Sequence, residues 1–158
     1  MDSSVTRVHR SHWAEAAVDN RSNTANRPCC GLIFAFVIRP KFLVAEPEPP
    51  ESISVRKLVL ETAKFNVITA YSGREALELL RAFPAISAFI LHSGVQDVPC
   101  GDQVLEAKKQ NPRLPVILLA THHGATCDGA DHRINSHSPE DLLELVREKF
   151  GDPRQNHS

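Results

Sequence analysis

The stretch Lys41-Phe-Leu-Val-Ala-Glu-Pro-Glu48 indicates the architecture of the whole chain. Residues 42–45 form a short and almost unbroken apolar run, which is typical of a strand covered on both faces of a sheet. Glu46 and Glu48 follow the run, and the prolines beside them prevent further hydrogen bonding along the strand. Sites are built at the carboxyl ends of strands in parallel sheets, so this pair of carboxylates predicts one here.

The composition is that of one globular domain. The chain has 158 residues, of which 42% are hydrophobic, and this is enough for a single core. The formal net charge is −1 and the isoelectric point is about 6.7, so no general attraction to nucleic acid or to an anionic membrane is expected. The longest apolar run, at 29–38, is about half of the roughly 20 residues that a membrane-spanning helix needs. We therefore expect a cytoplasmic protein.

The cysteine pattern indicates no disulfide framework. The four cysteines are Cys29, Cys30, Cys100 and Cys127. No pair of them has the spacing of a zinc ribbon or of a redox-active CxxC motif. We interpret them as the reduced thiols of a cytosolic protein.

The first 39 residues differ in composition from the rest. Residues 1–28 are rich in Ser, Asn, Arg and His without a sustained period, and the segment 1–39 is predicted to be a disordered N-terminal extension. Within it, the apolar residues 31–38 could alternatively add an edge strand or a short helix. The only methionine is Met1, so the alternative is that translation starts further along, at a codon other than Met. Residues 40–151 are predicted to form the folded domain, and 152–158 a disordered tail.

From Lys41 onward, apolar strands alternate with amphipathic helices. The strands are predicted at 41–45, 65–71, 88–92, 115–120 and 133–136, and the helices at 52–64, 72–83, 101–110 and 138–150. The segment 121–131 leaves room for one or two helical turns at most. Alternation at this spacing implies right-handed crossovers and a parallel sheet.

Two helices carry clear boundary signals. Ser72-Gly-Arg-Glu75 is a capping box, in which each side chain can satisfy a free amide of the other residue. Ser138 and Pro139 mark the start of the last helix, and Gly151 marks its end.

Helical spacing predicts which side chains face the core. They are Val55, Leu58, Val59 and Thr62 in the first helix; Ala76, Leu79, Leu80 and Phe83 in the second; Val104 and Leu105 in the third; and Leu142, Leu145 and Val146 in the last. Arg56 is predicted on the water-facing side of the first helix.

Four pieces of sequence stand at particular places in this alternation. They are 41–46 (Lys-Phe-Leu-Val-Ala-Glu), 70–80 (Ala-Tyr-Ser-Gly-Arg-Glu-Ala-Leu-Glu-Leu-Leu), Gly101 with Val104-Leu105, and 111–119 (Asn-Pro-Arg-Leu-Pro-Val-Ile-Leu-Leu). Together they resemble the receiver domain of two-component response regulators. The resemblance covers about 40–151. It implies a flavodoxin-like α/β fold, with a single doubly wound five-stranded parallel sheet of strand order 2-1-3-4-5. The fourth helix of that fold would be shortened here, because it falls in 121–131.

A receiver accepts a phosphoryl group from a histidine kinase onto an aspartate. Two further acids help that aspartate to hold Mg²⁺, and a hydroxyl and a lysine hold the phosphoryl oxygens. The resemblance places the first acid at Glu46 and the second at Pro47, for which Glu48 could substitute. It places the acceptor at Ser93, or at His92 if the loop is one residue longer. The hydroxyl position falls on Ala120, next to Thr121, and the lysine position falls on Asn135. The nearest acid to the acceptor position is Asp97, four residues into the following loop.

These departures predict a degenerate receiver, or pseudo-receiver. A serine cannot form an acyl phosphate, and the lysine and one acid are missing, so ordinary phosphotransfer and enzymatic activity are not expected. The expected role is contact with a histidine kinase or another signalling protein in a bacterial pathway. The contact surface would be the face made by the fourth helix, the fifth strand and the fifth helix, and no cofactor, nucleic acid or membrane is expected.

Two other functions are alternatives. A receiver could still be phosphorylated at a residue other than aspartate, with Glu46 and Glu48 holding Mg²⁺. A small metal-binding α/β protein could use imidazole and thiol ligands for Zn²⁺; the candidates are His122, His123, Cys127, Asp131, His132 and His137.

Each site residue also has a plainer interpretation. Glu46 and Glu48 would then be solvated loop carboxylates, His92 a polar residue that ends a buried strand, and Ser93 a hydrogen-bonding loop residue.

Overall fold

The computed structural model describes residues 39–47 and 53–155. These residues form one parallel five-stranded sheet and four α-helices. The strands are β1 (Lys41–Ala45), β2 (Asn66–Ala70), β3 (Ala88–His92), β4 (Val116–Ala120) and β5 (His132–Asn135). The helices are α1 (Val55–Thr62), α2 (Gly73–Ala82), α3 (Cys100–Gln110) and α4 (Pro139–Phe150). The predicted extension at 1–39 lies outside the described residues, except for Arg39.

The strand order is β2-β1-β3-β4-β5, and every neighbouring pair is parallel. The predicted α/β fold and its 2-1-3-4-5 order are therefore confirmed. β1 lies between two strands, with Leu43 opposite Ile68 on one side and opposite Phe89 on the other. The chain leaves the sheet after Ala45 and again after His92, so these two carboxyl ends are adjacent.

Side chains of successive strand residues point to opposite faces of the sheet, and each face is covered by two helices. Leu43 and Phe89 belong to the core on the side of α2 and α3. Phe42 and Ile90 belong to the core on the side of α1 and α4. This double cover explains why β1, β3 and β4 are nearly continuous apolar runs.

Phe42 is the centre of an aromatic cluster on the second face. Its side chain is completely buried. Its ring centroid lies 5.1 Å from that of Phe65, just before β2, and 5.2 Å from that of Phe150, the last residue of α4. One side chain thus joins β1 to the end of the last helix.

The capping box predicted at 72–75 forms at the start of α2, except that Glu75 reaches back to the amide of Tyr71 instead of that of Ser72. The Glu75 amide donates to Ser72 Oγ at 3.1 Å, and Glu75 Oε2 accepts from the Tyr71 amide at 2.8 Å. At the other predicted boundaries, Pro139 begins α4 and Gly151 follows it with φ of +78°, a conformation that glycine adopts without strain. Ser138 takes the N-cap position of α4, but its side chain makes no capping hydrogen bond.

The predicted core face of α1 is wrong. Val55 and Leu58 are 57% and 54% exposed, whereas Leu60 and Ala63 are buried. The helix begins at Val55 rather than at residue 52, because Ser54 is the N-cap and its Oγ accepts from the Lys57 amide at 3.1 Å. Compared with the prediction, α1 starts later and is rotated about its axis, so that a different side of the helix packs on the sheet.

Two further core assignments are wrong. Leu105 of α3 is 56% exposed, and the completely buried polar residue Gln103 lies on the core side instead. Its Nε2 donates to the carbonyl of Val98 at 2.8 Å, which compensates part of the cost of burying an amide. Phe83 is 41% exposed and lies just after α2, where the Lys41 ammonium is 5.7 Å from the ring centroid.

No helix lies between β4 and β5, both of which are fully described. Residues 121–131 form a loop instead of the one or two turns that the sequence allowed. A disulfide joins Cys127 in this loop to Cys100 at the start of α3, with 5.7 Å between the Cα atoms. The interpretation of these two cysteines as reduced thiols is therefore wrong, while Cys29 and Cys30 lie outside the described residues.

The chain continues past Gly151 as a turn. Asp152 accepts from the Arg154 amide and pairs with Arg147 of α4, and Pro153 is buried. These contacts differ from the disordered tail predicted from residue 152. Separately, none of the helices in the described ranges is long and apolar enough to cross a bilayer.

Candidate functional site

The carboxyl end of β1 carries a completely buried carboxylate. Glu46 follows Ala45 directly, its amide donates to the Ala70 carbonyl at 2.9 Å, and its side chain has no exposed surface. The interpretation of Glu46 as a solvated loop carboxylate is therefore wrong. Glu48 lies outside the described residues.

Arg56 supplies the positive charge that faces Glu46. Its Nη1 lies 3.4 Å from Glu46 Oε1, and its Nη2 donates to the Ser136 carbonyl at 2.9 Å. The Arg56 side chain is only 13% exposed, so the prediction that it faces water is wrong. This guanidinium joins the end of β1, the first turn of α1 and the residue after β5. These contacts could not be predicted from the sequence, because no local pattern relates Arg56 to residues 10 and 80 positions away.

The residue in the acceptor position has no carboxylate. Ser93 follows β3, and its Oγ lies 3.1 Å from Thr121 Oγ1 and also accepts from the Thr121 amide at 3.1 Å. His92, the last residue of β3, is 8% exposed, and its Nδ1 accepts from the Gly94 amide at 3.0 Å. The structure thus brings Ser93 and Thr121 together, as the resemblance implied, but as a pair of hydroxyls.

Gly94 allows the loops after β1 and β3 to approach closely. A Cβ atom added at Gly94 would lie 2.9 Å from His92 Nδ1 and 3.0 Å from Pro47 Cγ. The first distance is shorter than real Cβ contacts and the second is tighter than most of them, so a larger residue at this position requires His92 to move and Pro47 to give way slightly. The space between the two loops is therefore occupied by the proline and the imidazole.

The remaining two positions lie on the other side of Ser93. Ala120 ends β4 and is buried, and Asn135 ends β5 with an exposed side chain whose Oδ1 accepts from the His137 amide at 2.9 Å. Ala120, Thr121 and Asn135 line a shallow cavity of about 330 Å³. Arg133 reaches the same cavity, but its guanidinium is engaged by the carbonyls of His122 and His123.

Asp97 has a structural role that the sequence did not reveal. Its Oδ1 accepts from the Gly73 amide at 2.7 Å and its Oδ2 from the Arg74 amide at 3.0 Å, so it caps α2 from a distant loop. Burial raises the pKa of Asp97, but these amides and those of Asp97 and Val98 outweigh it and lower the pKa below its ordinary value. The only described acid in the loop after the acceptor position is therefore engaged elsewhere.

We expect the Asp97 cap to make stability depend on pH in the acid range. Because the pKa is lower in the folded state, the stabilisation is complete above the unfolded pKa of about 3.9 and is lost as pH falls through the folded value. Asp97→Asn should reduce the free energy of unfolding by about 0.5–1 kcal/mol at pH 7, and the difference from the parent protein should shrink by pH 3. Urea unfolding at the two pH values tests this, with the exposed loop variant Asp128→Asn as control. An equal difference at both pH values would contradict the role assigned to the carboxylate.

The residues suggested for zinc do not come together. Cys127 is bonded to Cys100, and Asp131 pairs with Lys108 at 2.6 Å while accepting from the Val116 amide at 2.7 Å. Burial raises the pKa of Asp131, but the hydrogen bonds from Lys108 and Val116 and the nearby positive charges lower it overall. The described part of the chain contains no group of three or more side chains placed to hold a metal ion.

Comparison with known proteins gives one consistent result. No family model and no curated protein matches the sequence. Structures of receiver domains match the fold along nearly their whole length. A response regulator receiver domain protein from Clostridium thermocellum is 25% identical, with a TM-score of 0.61, over 74% of this chain and 97% of that chain. A CheY-like receiver domain protein from Methanospirillum hungatei JF-1 is 20% identical, with a TM-score of 0.62, over 75% and 98%. The response regulator protein TrrA from Thermotoga maritima, in complex with Mg²⁺-BeF, is 23% identical, with a TM-score of 0.57, over 69% and 97%.

The resemblance to receiver domains is therefore confirmed for the fold. Among these neighbours, the likeness to the Clostridium thermocellum protein, at 25% identity, also supports a receiver role in two-component signalling. They do not bear on the chemistry of individual residues, which follows from the geometry of this chain alone.

The described residues do not fit a Mg²⁺ site. Glu46 contributes one buried oxygen, Oε2, that has no hydrogen-bond partner among the residues that the structure describes, but its other oxygen faces the Arg56 guanidinium. Pro47 has no ligating side chain, and Ser93 offers a neutral hydroxyl that is already hydrogen-bonded. Mg²⁺ is held by carboxylates and other oxygens in octahedral geometry, and a fixed cation at the carboxylate opposes it electrostatically.

Proposed function

We propose that this chain is a receiver-like domain of bacterial two-component phosphorelay signalling that works without phosphorylation. The observation that carries the proposal is the pairing of Glu46 with Arg56. In a receiver, acids at this edge of the sheet bind a metal ion that neutralises the phosphoryl group. Here the charge of the buried acid is already balanced within the protein.

The other residues of the site support the same proposal. An acyl phosphate requires a carboxylate, and the acceptor position holds Ser93, which is hydrogen-bonded to Thr121. The lysine position holds Asn135, whose amide oxygen is engaged by the backbone of His137. None of these groups supplies the cationic stabilisation that phosphoryl transfer needs. We propose neither a catalytic role nor a bound Mg²⁺.

The proposed activity is binding to a protein partner in the cytoplasm, a histidine kinase or another signalling protein. The docking face consists of the loop 121–131, β5 and α4. It has little apolar surface at its centre: β5 exposes Arg133 and Asn135, and the loop exposes His122 and His123. α4 adds exposed acids to this face, among them Glu140, Asp141 and Glu144. A partner that fits the face would therefore meet polar groups and charges of both signs with complementary side chains of its own.

Intact-mass spectrometry after incubation with acetyl phosphate and Mg²⁺ tests the proposal. We expect no species heavier by about 80 Da, the mass of one phosphoryl group, under conditions that label an ordinary receiver. A second arm measures binding to candidate kinases with and without the two reagents, and we expect the same affinity in both. A labelled protein, or binding that requires acetyl phosphate, would overturn the proposal, and the position of the label would identify the acceptor as Ser93, His92 or Asp97.

A further inference from the structure

The Cys100–Cys127 disulfide is a covalent cross-link between two parts of the fold that lie 27 residues apart along the chain. Cys100 is the first residue of α3, which packs on the sheet, and Cys127 lies in the middle of the 121–131 loop. Both side chains are partly buried and pack against the core on the α2 and α3 side. The Cα separation of 5.7 Å lies in the range usual for disulfides.

The loop is otherwise held mainly at its ends. At the first end, the Thr121 amide donates to Ser93 Oγ, and Arg133 donates to the carbonyls of His122 and His123. At the second end, Asp131 is held by Lys108 and by the Val116 amide.

The middle of the loop, 124–129, has fewer attachments. Within the described residues its backbone hydrogen bonds are local, from Ala125 to the His122 carbonyl and from Ala130 to the Cys127 carbonyl. A Cβ atom added at Gly129 would lie 3.1 Å from Val104 Cγ1 of α3. The disulfide is thus the strongest connection between the middle of the loop and the rest of the domain.

We propose that the Cys100–Cys127 bond is a reversible redox tether that fixes the conformation of the docking face. Disulfides in the cytosol are usually transient and redox-sensing, because dithiol proteins keep most thiols reduced. This inference rests on the proposed function for its biological meaning, since the loop is part of the proposed docking face. Reduction would free 124–129 from α3, while the sheet and the four helices keep their own packing.

Reduction of the Cys100–Cys127 bond requires a dithiol reductant, which supplies the two electrons and two protons. A thiolate of the reductant attacks one sulfur of the Cys100–Cys127 bond, which forms a mixed disulfide and releases the other cysteine as a thiolate. The second thiol of the reductant then displaces the first cysteine. The protein gains two electrons and two protons to become a dithiol, and the reductant becomes a disulfide.

Amide hydrogen exchange on the whole chain, oxidised and after treatment with dithiothreitol, tests the tether. A Cys29→Ser/Cys30→Ser background keeps the vicinal cysteines from exchanging with the pair. We expect reduction to raise exchange in 122–130 by about tenfold or more, and to change exchange in β1, β3 and β4 by less than about twofold. Cys100→Ser/Cys127→Ser should match the reduced protein and should not respond to dithiothreitol.

Three results would overturn the tether. They are free thiols at Cys100 and Cys127 after purification without reductant, unchanged exchange in the loop after reduction, and a rise in exchange throughout the sheet, which would make the bond a structural staple. The measurement uses no partner, so it remains decisive if the proposed binding function fails. Conversely, if the proposed binding function is wrong, the kinase-binding assay will show no binding even though hydrogen exchange still shows the tether.

Discussion

Arg56→Met should lower the free energy of unfolding by about 3–5 kcal/mol, because it leaves the charge of Glu46 buried and unpaired. Glu46 has no exposed surface, and its other oxygen has no hydrogen-bond partner in the described residues. The variant also loses the hydrogen bond to the Ser136 carbonyl, and this loss lowers the free energy of unfolding by about 1 kcal/mol more. Urea unfolding followed by circular dichroism at pH 7 measures the effect.

The double variant Glu46→Gln/Arg56→Met separates the charge from the lost packing. It should recover most of the stability, since it removes the unpaired charge and leaves an amide of the same shape. Arg113→Met, at an exposed turn, is the control and should change stability by less than about 0.5 kcal/mol. A single Arg56 variant as stable as this control would show that the pair does not balance a buried charge, and Arg56 would then not oppose Mg²⁺ at Glu46.

Phe42→Ala should cost about 3–5 kcal/mol, the range for removing a large aromatic side chain from a core. Phe42 is completely buried and contacts the rings of both Phe65 and Phe150. Its loss therefore opens a cavity between β1 and the end of α4, where neither the sheet nor the helix can collapse freely. The midpoint and slope of a urea titration give the change in stability.

Phe83→Ala is the matched control for this substitution. Phe83 is 41% exposed and its ring contacts the Lys41 ammonium, so its removal should cost no more than about 1 kcal/mol. Similar losses for the two phenylalanines would contradict the core described for the second face of the sheet and would favour the inward orientation of Phe83 that helical spacing predicted.

The strands could be predicted from the sequence because helices cover both faces of the sheet, which requires apolar residues at nearly every position of the inner strands. β3 and β4 are buried at every position, so they read as unbroken apolar runs between turn residues. The predicted bounds of β3 match those of the structure, and those of β4 differ by one residue at the start. The strand order followed from the resemblance to receivers rather than from the pattern.

The faces of the helices were harder to predict, because a short helix with several adjacent apolar residues has no unique phase. Leu58, Val59 and Leu60 are consecutive in α1, so helical spacing is compatible with an apolar face centred on any of the three. The Ser54 cap and the packing on the sheet select Leu60. In α3 the expectation that polar residues face water failed for Gln103, whose amide finds a buried carbonyl acceptor.

The site could be predicted as a set of positions but not as a set of contacts. The sequence placed Glu46, Ser93 and Thr121 at one edge of the sheet, and the structure brings Ser93 and Thr121 together. It could not place Arg56 on Glu46, Asp97 on α2 or Cys100 on Cys127. Each of these contacts forms between loops and helix ends distant in sequence, where periodicity carries no information about partners.

The two outer strands limit how another protein can attach to the sheet. β2 and β5 are the edges, with five and four residues, and β5 carries the exposed Arg133 in its middle. Short edges with a charged residue are poor templates for an added strand, which also protects the sheet from edge-to-edge aggregation. Recognition by main-chain pairing is therefore disfavoured at β5, and a partner on this side must find its specificity in side chains and loop shape.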